Sequence, residues 1–364
     1  MNILKGMTLA IAGGGVVGLT LAVRAAWSGA DVIVYAPSAP SSPSASMVAA
    51  GMLAPAFEAA LDPASAAHFP LFRYARDLWP DLIARLGLPA ADLDRRGALW
   101  VDIDSDEGRA LDIAARLTAT GAQSEMLSAS EVIALSPQLS PQICGGVYTP
   151  DDWRIDPSAL LAALERALAA AGGRRVDAKL AVDGRGVWRV DGASVEADSL
   201  VIAVGDGWGG FIDIAPSLKV LSPIKGQLVR IEGPPLDSPV LRTRGGYLAP
   251  GAHGVVAGAT MEAGRSDLTC DLGVAQTFVD LATRLVPGLA WADREARVGV
   301  RAATPDGLPL VGRSGRPDIR LAIGLRRNGW LLAPLVADMI LADLAGEPPL
   351  PHAARLRADR FDQT

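Results

Sequence analysis

The sequence offers chemistry first at Gly13-Gly14-Gly15-Val16-Val17-Gly18, a G-x-G-x-x-G pattern. The apolar run "MTLAIAG" precedes it and the helix-like "VVGLTLAVRAAWSG" follows, so residues 7–36 read as a β-α-β unit. In such a unit Gly13 permits the tight turn, Gly15 lets a pyrophosphate approach the backbone, and Gly18 lets helix pack on strand. The helix N-terminus then presents N–H groups and partial positive charge to the phosphates. A dinucleotide site is therefore expected. The second strand, "DVIVYA", closes on Tyr35 and Ala36 where an acid commonly holds the ribose. The loop after it, "PSAPSSPSAS", carries no Arg or Lys for the 2′-phosphate of NADP. FAD tolerates the missing acid better, because its isoalloxazine and ribityl parts find other contacts, and Ser38 is a candidate ribose partner.

A second set of residues is spread along the chain. "SASMVAAGMLAP" comes early, "PIKGQL", "GGYLAP" and "AGATMEAG" follow in the second half, and "GVRAATPDGLPLVG" and "GLRRNGWLLAP" close the series. Together with "IAGGGVVGL", and in this order, they resemble the glycine oxidases of the D-amino-acid oxidase family, FAD enzymes that feed thiamine thiazole synthesis. The likeness runs through almost the whole chain. It implies oxidative deamination of glycine or a small amino acid or amine to the imine, with molecular oxygen reduced to hydrogen peroxide. A D-amino-acid dehydrogenase with a non-oxygen acceptor is the alternative. A covalent flavin is less expected, since neither cysteine lies near the late motifs. The resemblance also implies a homo-oligomer, dimer or tetramer.

Carried over residue by residue, the resemblance makes Arg301 the partner of the substrate carboxylate. Tyr247 adds its hydroxyl, and Arg327 is a second cationic position near the substrate. Arg suits the first role because its planar fork meets a carboxylate through two charge-assisted hydrogen bonds. Ala49, Ala50 and Gly51 fall in the loop over the flavin. Leu325, Arg326, Asn328, Gly329, Trp330 and Leu331 fall around the start of a helix whose N-terminus would stabilise negative charge on the reduced flavin. Met261 is a pocket candidate. The chain departs from the family pattern at Ala36 (commonly Glu), at Leu325 (often His), and in "RVGVRA" (often Trp-x-Gly-Leu-Arg-Pro). His68, His253 and His352 lie outside the motifs and read as surface or structural, and no general base is evident. Hydride transfer from a neutral amine asks for positioning more than for a base.

The elements that must position these residues follow from pattern. Helices are expected over about 64–87, with Phe72, Leu78, Trp79 and Leu82 in the core, and over "DEGRALDIAARLTATG", "DPSALLAALERALAAAGG", "LGVAQTFVDLATRLVPG" and "GWLLAPLVADMILADLAG". "SASEVIALSP" has Glu131 three residues after Ser128, a capping box. Residues 219–260 alternate like antiparallel strands. The fold class is α/β: a Rossmann-type FAD-binding domain, residues 1–80 with 141–215 and 296–364, plus a smaller antiparallel-sheet substrate domain, 81–140 with 216–295.

Composition excludes several classes. With net charge −6 over 364 residues there is no basic face for nucleic acid. Two distant cysteines, Cys144 and Cys270, make neither a disulfide framework nor a metal pattern, read as buried or inert thiols, and fit a reducing cytoplasm. No apolar run of about 18 residues escapes Gly or charge, so no membrane span is expected.

Overall fold

The computed structural model describes residues 3–38, 44–103, 107–288 and 292–361. Thr8–Ala12 is the inner strand of a six-stranded sheet. Across that sheet the order is Leu310–Arg313, Ile319–Ile323, Ser199–Ile202, Thr8–Ala12, Asp31–Tyr35 and Arg174–Val176. Every pairing is parallel except that of the edge strand Leu310–Arg313. A parallel sheet is covered on both faces, which explains the unbroken apolar runs "SLVI" and "TLAIA". The strand order reverses between Thr8–Ala12 and Ser199–Ile202, and crevices at such reversals are where open α/β sheets bind ligands. Gly13 closes the first strand at φ +114°, and a Cβ there would lie 2.2 Å from the Ala203 carbonyl oxygen. Only glycine fits.

Helix Val16–Trp27 packs along helix Gly329–Ala345. Arg24 is buried in this contact and pairs with Asp338, with Asp81 at 4.0 Å on its other side. The pair therefore ties the helix behind the glycine turn to the helix of the late "RRNGW" motif.

The second sheet has nine strands. Ser222–Glu232 pairs along its length with Arg294–Ala303 and, on its other edge, with Gly254–Gly258 and Glu262–Ala263. Gly246–Gly251, Val240–Thr243, Ala98–Val101, Gly145–Thr149 and Glu125–Ser128 continue it, antiparallel except between Val240–Thr243 and Ala98–Val101. Helix Leu272–Leu285 covers one face through Phe278, Ala282 and Leu285.

Several sequence expectations need adjustment. The expected boundaries group Gly145–Thr149 and residues 296–303 with the nucleotide-binding part, yet both stretches hydrogen-bond into the second sheet. A short strand carries no mark of which sheet it joins. The helix expected over 64–87 is broken into a 3₁₀ turn, Pro63–His68, and helices Phe69–Asp77 and Trp79–Arg85, each with a proline in its first turn. Phe72, Trp79 and Leu82 are fully buried, whereas Leu78 is partly so. A small three-stranded sheet, Ala181–Val182, Trp188–Val190 and Ala193–Ser194, has no counterpart among the expected elements. Cys144 is exposed and Cys270 half-buried, both free, so, of the expectation of buried or inert thiols, burial does not hold. His68 is buried, its Nδ1 lying 2.7 Å from Arg355 Nη2. The capping box forms: Ser128 N donates to Glu131 Oε2 at 2.8 Å. Among the described residues no helix is long and apolar enough to cross a membrane.

Asp338→Ala leaves the Arg24 guanidinium in the helix interface with only the distant Asp81. Removing one partner of a buried pair costs about 3–5 kcal/mol, and the partial exposure of Asp338 lowers the expected loss to about 2 kcal/mol. Chemical denaturation of the variant against the parent chain measures it.

Candidate active site

The glycine turn is built for close approach. Gly15 caps helix Val16–Trp27, and Val16 N donates to Ser46 Oγ at 3.0 Å. A Cβ on Gly18 would meet the Gly13 carbonyl oxygen at 2.0 Å, and one on Gly14 would meet Ala36 Cβ at 2.7 Å. Tyr35 receives Gly13 N on its carbonyl at 2.9 Å, and burial raises its hydroxyl pKa. Ala36 is buried at the strand end. The local loop holds no cation, but the neighbouring strand Arg174–Val176 brings one: Arg175 pairs with Glu165 and places Nη2 3.5 Å from Ser38 Oγ. Ser38 N donates to Asp177 Oδ1 at 2.6 Å. Residues 39–43 of "PSAPSSPSAS" lie outside the described residues.

The second sheet supplies a cavity of about 320 Å³ whose floor is one face of the sheet. Register sets that face. Arg242 pairs with Tyr247, Tyr247 with Gly258, Gly258 with Leu228, and Ile224 with Arg301, and directly paired side chains share a face. Gly226, Gly258 and Gly299 fall on the same face and keep it open. A Cβ on Gly226 would lie 2.2 Å from Arg301 Nη1, so the guanidinium lies over that glycine. Arg301 Nη1 is 3.4 Å from the Thr260 carbonyl oxygen and 3.6 Å from Met261 Sδ. Among the described residues no carboxylate pairs with it. Desolvation, with the nearby Arg326 and Arg327, pulls its pKa down from the ordinary guanidinium value, though Tyr247 and Glu58 act the other way. The Tyr247 hydroxyl is raised by burial, against the pull of Arg301 and Arg242.

The opposite wall is short helix Pro55–Leu61. It carries Glu58, buried and paired with Arg327 Nε, and with Arg242 Nη2 at 3.6 Å. Asp62, one turn on, pairs with Arg326 and lies 3.2 Å from Arg327 Nη2. Burial raises the Asp62 pKa, but the two arginines outweigh it and leave it lowered. Asp152 anchors the start of the helix, accepting Ala56 N at 2.7 Å and Phe57 N at 3.2 Å. Its complete burial pushes its pKa up to about 7, despite the nearby Arg242 and these two donors.

The loop before this helix is pinned: Arg154 Nε donates to the Ala50 carbonyl at 3.1 Å, and Ile155 N to that of Gly51 at 3.0 Å. Ala49, Ala50 and Gly51 line the cavity, as do Asn328 and Trp330 at the start of helix Gly329–Ala345. Asn328 Nδ2 and Trp330 Nε1 are buried without a hydrogen-bond partner among the described residues. Leu325 packs partly in the core beside Ala303, Arg326 turns to Asp62 from φ +53°, and Leu331 is core, its carbonyl accepting Trp79 Nε1 at 3.3 Å. Thus Tyr247, Arg301, Arg327, Ala49, Ala50, Gly51, Asn328 and Trp330 meet at one cavity, whereas the side chains of Leu325, Arg326 and Leu331 belong to the frame around it.

A glycine turn that opens one helix and, in the cavity, two orphaned donors at the start of another helix without a side-chain cap fit a flat, polar-edged dinucleotide cofactor. Fold and site together set a dinucleotide-type glycine turn beside a cavity lined by arginines. Residues 8–344 match the DAO family of FAD dependent oxidoreductases, and the chain belongs to that family. Its cofactor is FAD. The bifunctional protein ThiO/ThiG of Trichormus variabilis (strain ATCC 29413 / PCC 7937) is 30% identical over 98% of this chain and 55% of its own length. The tRNA 5-methylaminomethyl-2-thiouridine biosynthesis bifunctional protein MnmC of Caulobacter sp. (strain K31) is 29% identical over 97% and 57%. The chain thus spans about half the length of these relatives. The glycine oxidase crystal structure from Geobacillus kaustophilus superposes with TM-score 0.83 at 26% identity, covering 98% of this chain and 99% of that one.

Sequence reasoning missed Glu58, Asp62, Asp152, Arg242 and Arg175. Glu58 and Asp62 are spaced i, i+4 inside the otherwise apolar "PAFEAALDP", a detectable signal. Arg242 was detectable too, because a two-residue hairpin turn at Arg244-Gly245 pairs it with Tyr247. Arg175 had no local signal.

Folding raises the Asp152 pKa to about 7, so its stabilising contribution is fully present below about pH 4, the unfolded value. The contribution is lost as pH rises towards 7, by about 1.4 kcal/mol for each pH unit between the two values. Asp152→Asn keeps an acceptor without the charge. Its melting temperature relative to the parent is expected to rise between pH 5 and pH 8, as thermal scans across that range would show.

Proposed function

We propose that this chain oxidises glycine or a small amino acid or amine to the imine and passes the electrons to molecular oxygen, forming hydrogen peroxide. The observation that carries this reading is Arg301, a desolvated guanidinium with no carboxylate partner among the described residues, beside the Tyr247 hydroxyl in the cavity. A buried cation is costly unless paired, so such a group is suited to an anionic substrate.

Arg301 takes the substrate carboxylate through its two Nη atoms and Tyr247 donates its hydroxyl to it. This anchors the substrate over the glycine row and leaves its amine free. Bound FAD supplies a two-electron acceptor: a hydride leaves Cα as the nitrogen loses a proton, and a C=N bond forms. Water then adds to the imine and releases the amine and an oxo acid. Among the described residues no histidine lines the cavity, and Glu58 is committed to arginines, so the substrate enters with a neutral amine and the protein's share is positioning. Arg327, held by Glu58 and Asp62, adds positive potential rather than a free clamp. The ThiO/ThiG relatives support a place in thiamine thiazole synthesis.

An anaerobic visible spectrum tests the reading. Bleaching by glycine with recovery and peroxide in air supports it. Bleaching without recovery in air points to a dehydrogenase, and absence of bleaching by glycine, D-amino acids and N-methyl amines sinks it. Arg301→Ala is expected to lower kcat/KM about a hundredfold or more while FAD stays bound, since charge-assisted pairs contribute about 1.5–3 kcal/mol each. Gly226→Ala should push the guanidinium aside and raise KM about tenfold by the same reasoning, measurable by steady-state kinetics.

A further inference from the structure

Arg242 is a buried cavity cation that the reaction above leaves unused. Only 8% of it is exposed, and it lines the cavity between the rings of Phe57 and Tyr247, at 5.7 and 6.0 Å from their centroids. Its nearest carboxylate, Glu58, stands at 3.6 Å, beyond hydrogen-bond length, and the other Glu58 oxygen is taken by Arg327. Arg242 Nε and Nη2 have no hydrogen-bond partner among the described residues. With its nearest carboxylate beyond hydrogen-bond length, the Arg242 guanidinium keeps capacity for a charge-assisted bond to an anion from outside the chain. The charge balance agrees. Arg242, Arg301, Arg326 and Arg327 stand against Glu58, Asp62 and Asp152, and burial drives Asp152 towards its neutral form. One substrate carboxylate on Arg301 leaves positive charge over.

We infer that the cavity is built for an amino acid bearing a second carboxylate, whose far anion Arg242 takes while Arg301 and Tyr247 hold the near one. This rests on the oxidase reading above and names its substrate class. Tyr247 stands between the two arginines, opposite Arg242 in the hairpin and next to Arg301 across the glycine row. The second carboxylate sits either on the nitrogen substituent or on the side chain. In the first case the balance is that of any secondary amine. Cα loses a hydride to FAD, the nitrogen loses its proton, and hydrolysis of the imine gives glyoxylate and the freed amino acid. Oxygen takes up the two electrons and two protons.

Binding is read first, on the intact holoenzyme, from the change that non-reacting anions make in the flavin spectrum. Malonate is expected to bind at least tenfold more tightly than acetate. In Arg242→Gln this ratio should fall towards one, and Arg242→Lys should restore part of it. Turnover is read second, as kcat/KM for iminodiacetate over sarcosine and for D-aspartate over D-alanine. At least one ratio should exceed ten in the parent chain and drop at least tenfold in Arg242→Gln. Equal binding of malonate and acetate by the parent chain overturns the inference, with no variant required. So does an Arg242→Gln protein that weakens both anions alike, which would make Arg242 a holder of Glu58 only. A holoenzyme that glycine bleaches but that shows no dicarboxylate preference loses this inference alone. One that no amine bleaches loses the oxidase reading with it.

Discussion

A guanidinium held largely, not wholly, out of water without a carboxylate paired to it is the constraint on which the site turns. Arg301 is kept in that state by its surroundings. Gly226 gives it room, Thr260 offers only a carbonyl and Met261 only a thioether, and the acids of the facing helix, Glu58 and Asp62, are engaged with other arginines. Glu58, the carboxylate whose field reaches Arg301, would neutralise it if it were free. The capture of these acids by Arg326 and Arg327 is therefore as much a part of the site as the residues that face the ligand. Charges here are apportioned by geometry: the short helix carries the acids towards the "RRNG" turn, and the sheet carries Arg301 away from them.

Each sheet contributes what the other lacks. The parallel sheet provides helix starts and glycine turns, which favour phosphate and flat polar edges, but its faces are covered, one by helices and the other by the small antiparallel sheet and the 3₁₀ turns beside it. The antiparallel sheet provides an open face with side chains on a fixed register, which suits a small anion. The Arg24–Asp338 contact matters in this setting because it ties the last turn of helix Val16–Trp27 to the middle of helix Gly329–Ala345, holding the two helices side by side.

The sequence was legible where the signal is local. The glycine fingerprint is one turn long and each of its glycines has its own steric reason, as the Gly13–Ala203 and Gly18–Gly13 approaches show. The capping box at Ser128 is likewise a four-residue matter. Arg301 and Tyr247 were legible only through family resemblance, since nothing in their neighbouring residues says that they meet. Arg175 beside Ala36 was not legible, because the meeting depends on a parallel pairing of Tyr35 with Val176 across more than a hundred residues. The membership of Gly145–Thr149 in the second sheet escaped for the same reason: propensity identifies a strand, and only tertiary pairing identifies its neighbours.

The cavity walls come from four widely separated stretches of chain, around residues 45–61, 226–261, 299–301 and 327–330. Such a chamber has high contact order and exists only once nearly the whole chain is in place. A ligand that binds the completed chamber and not its fragments stabilises every segment that lines it by mass action. A flavin bound there would be a fastener as well as a reagent, drawing early and late stretches of the polypeptide together. Loss of the cofactor would then be felt as a loosening along the entire chain rather than as an empty pocket in an unchanged scaffold.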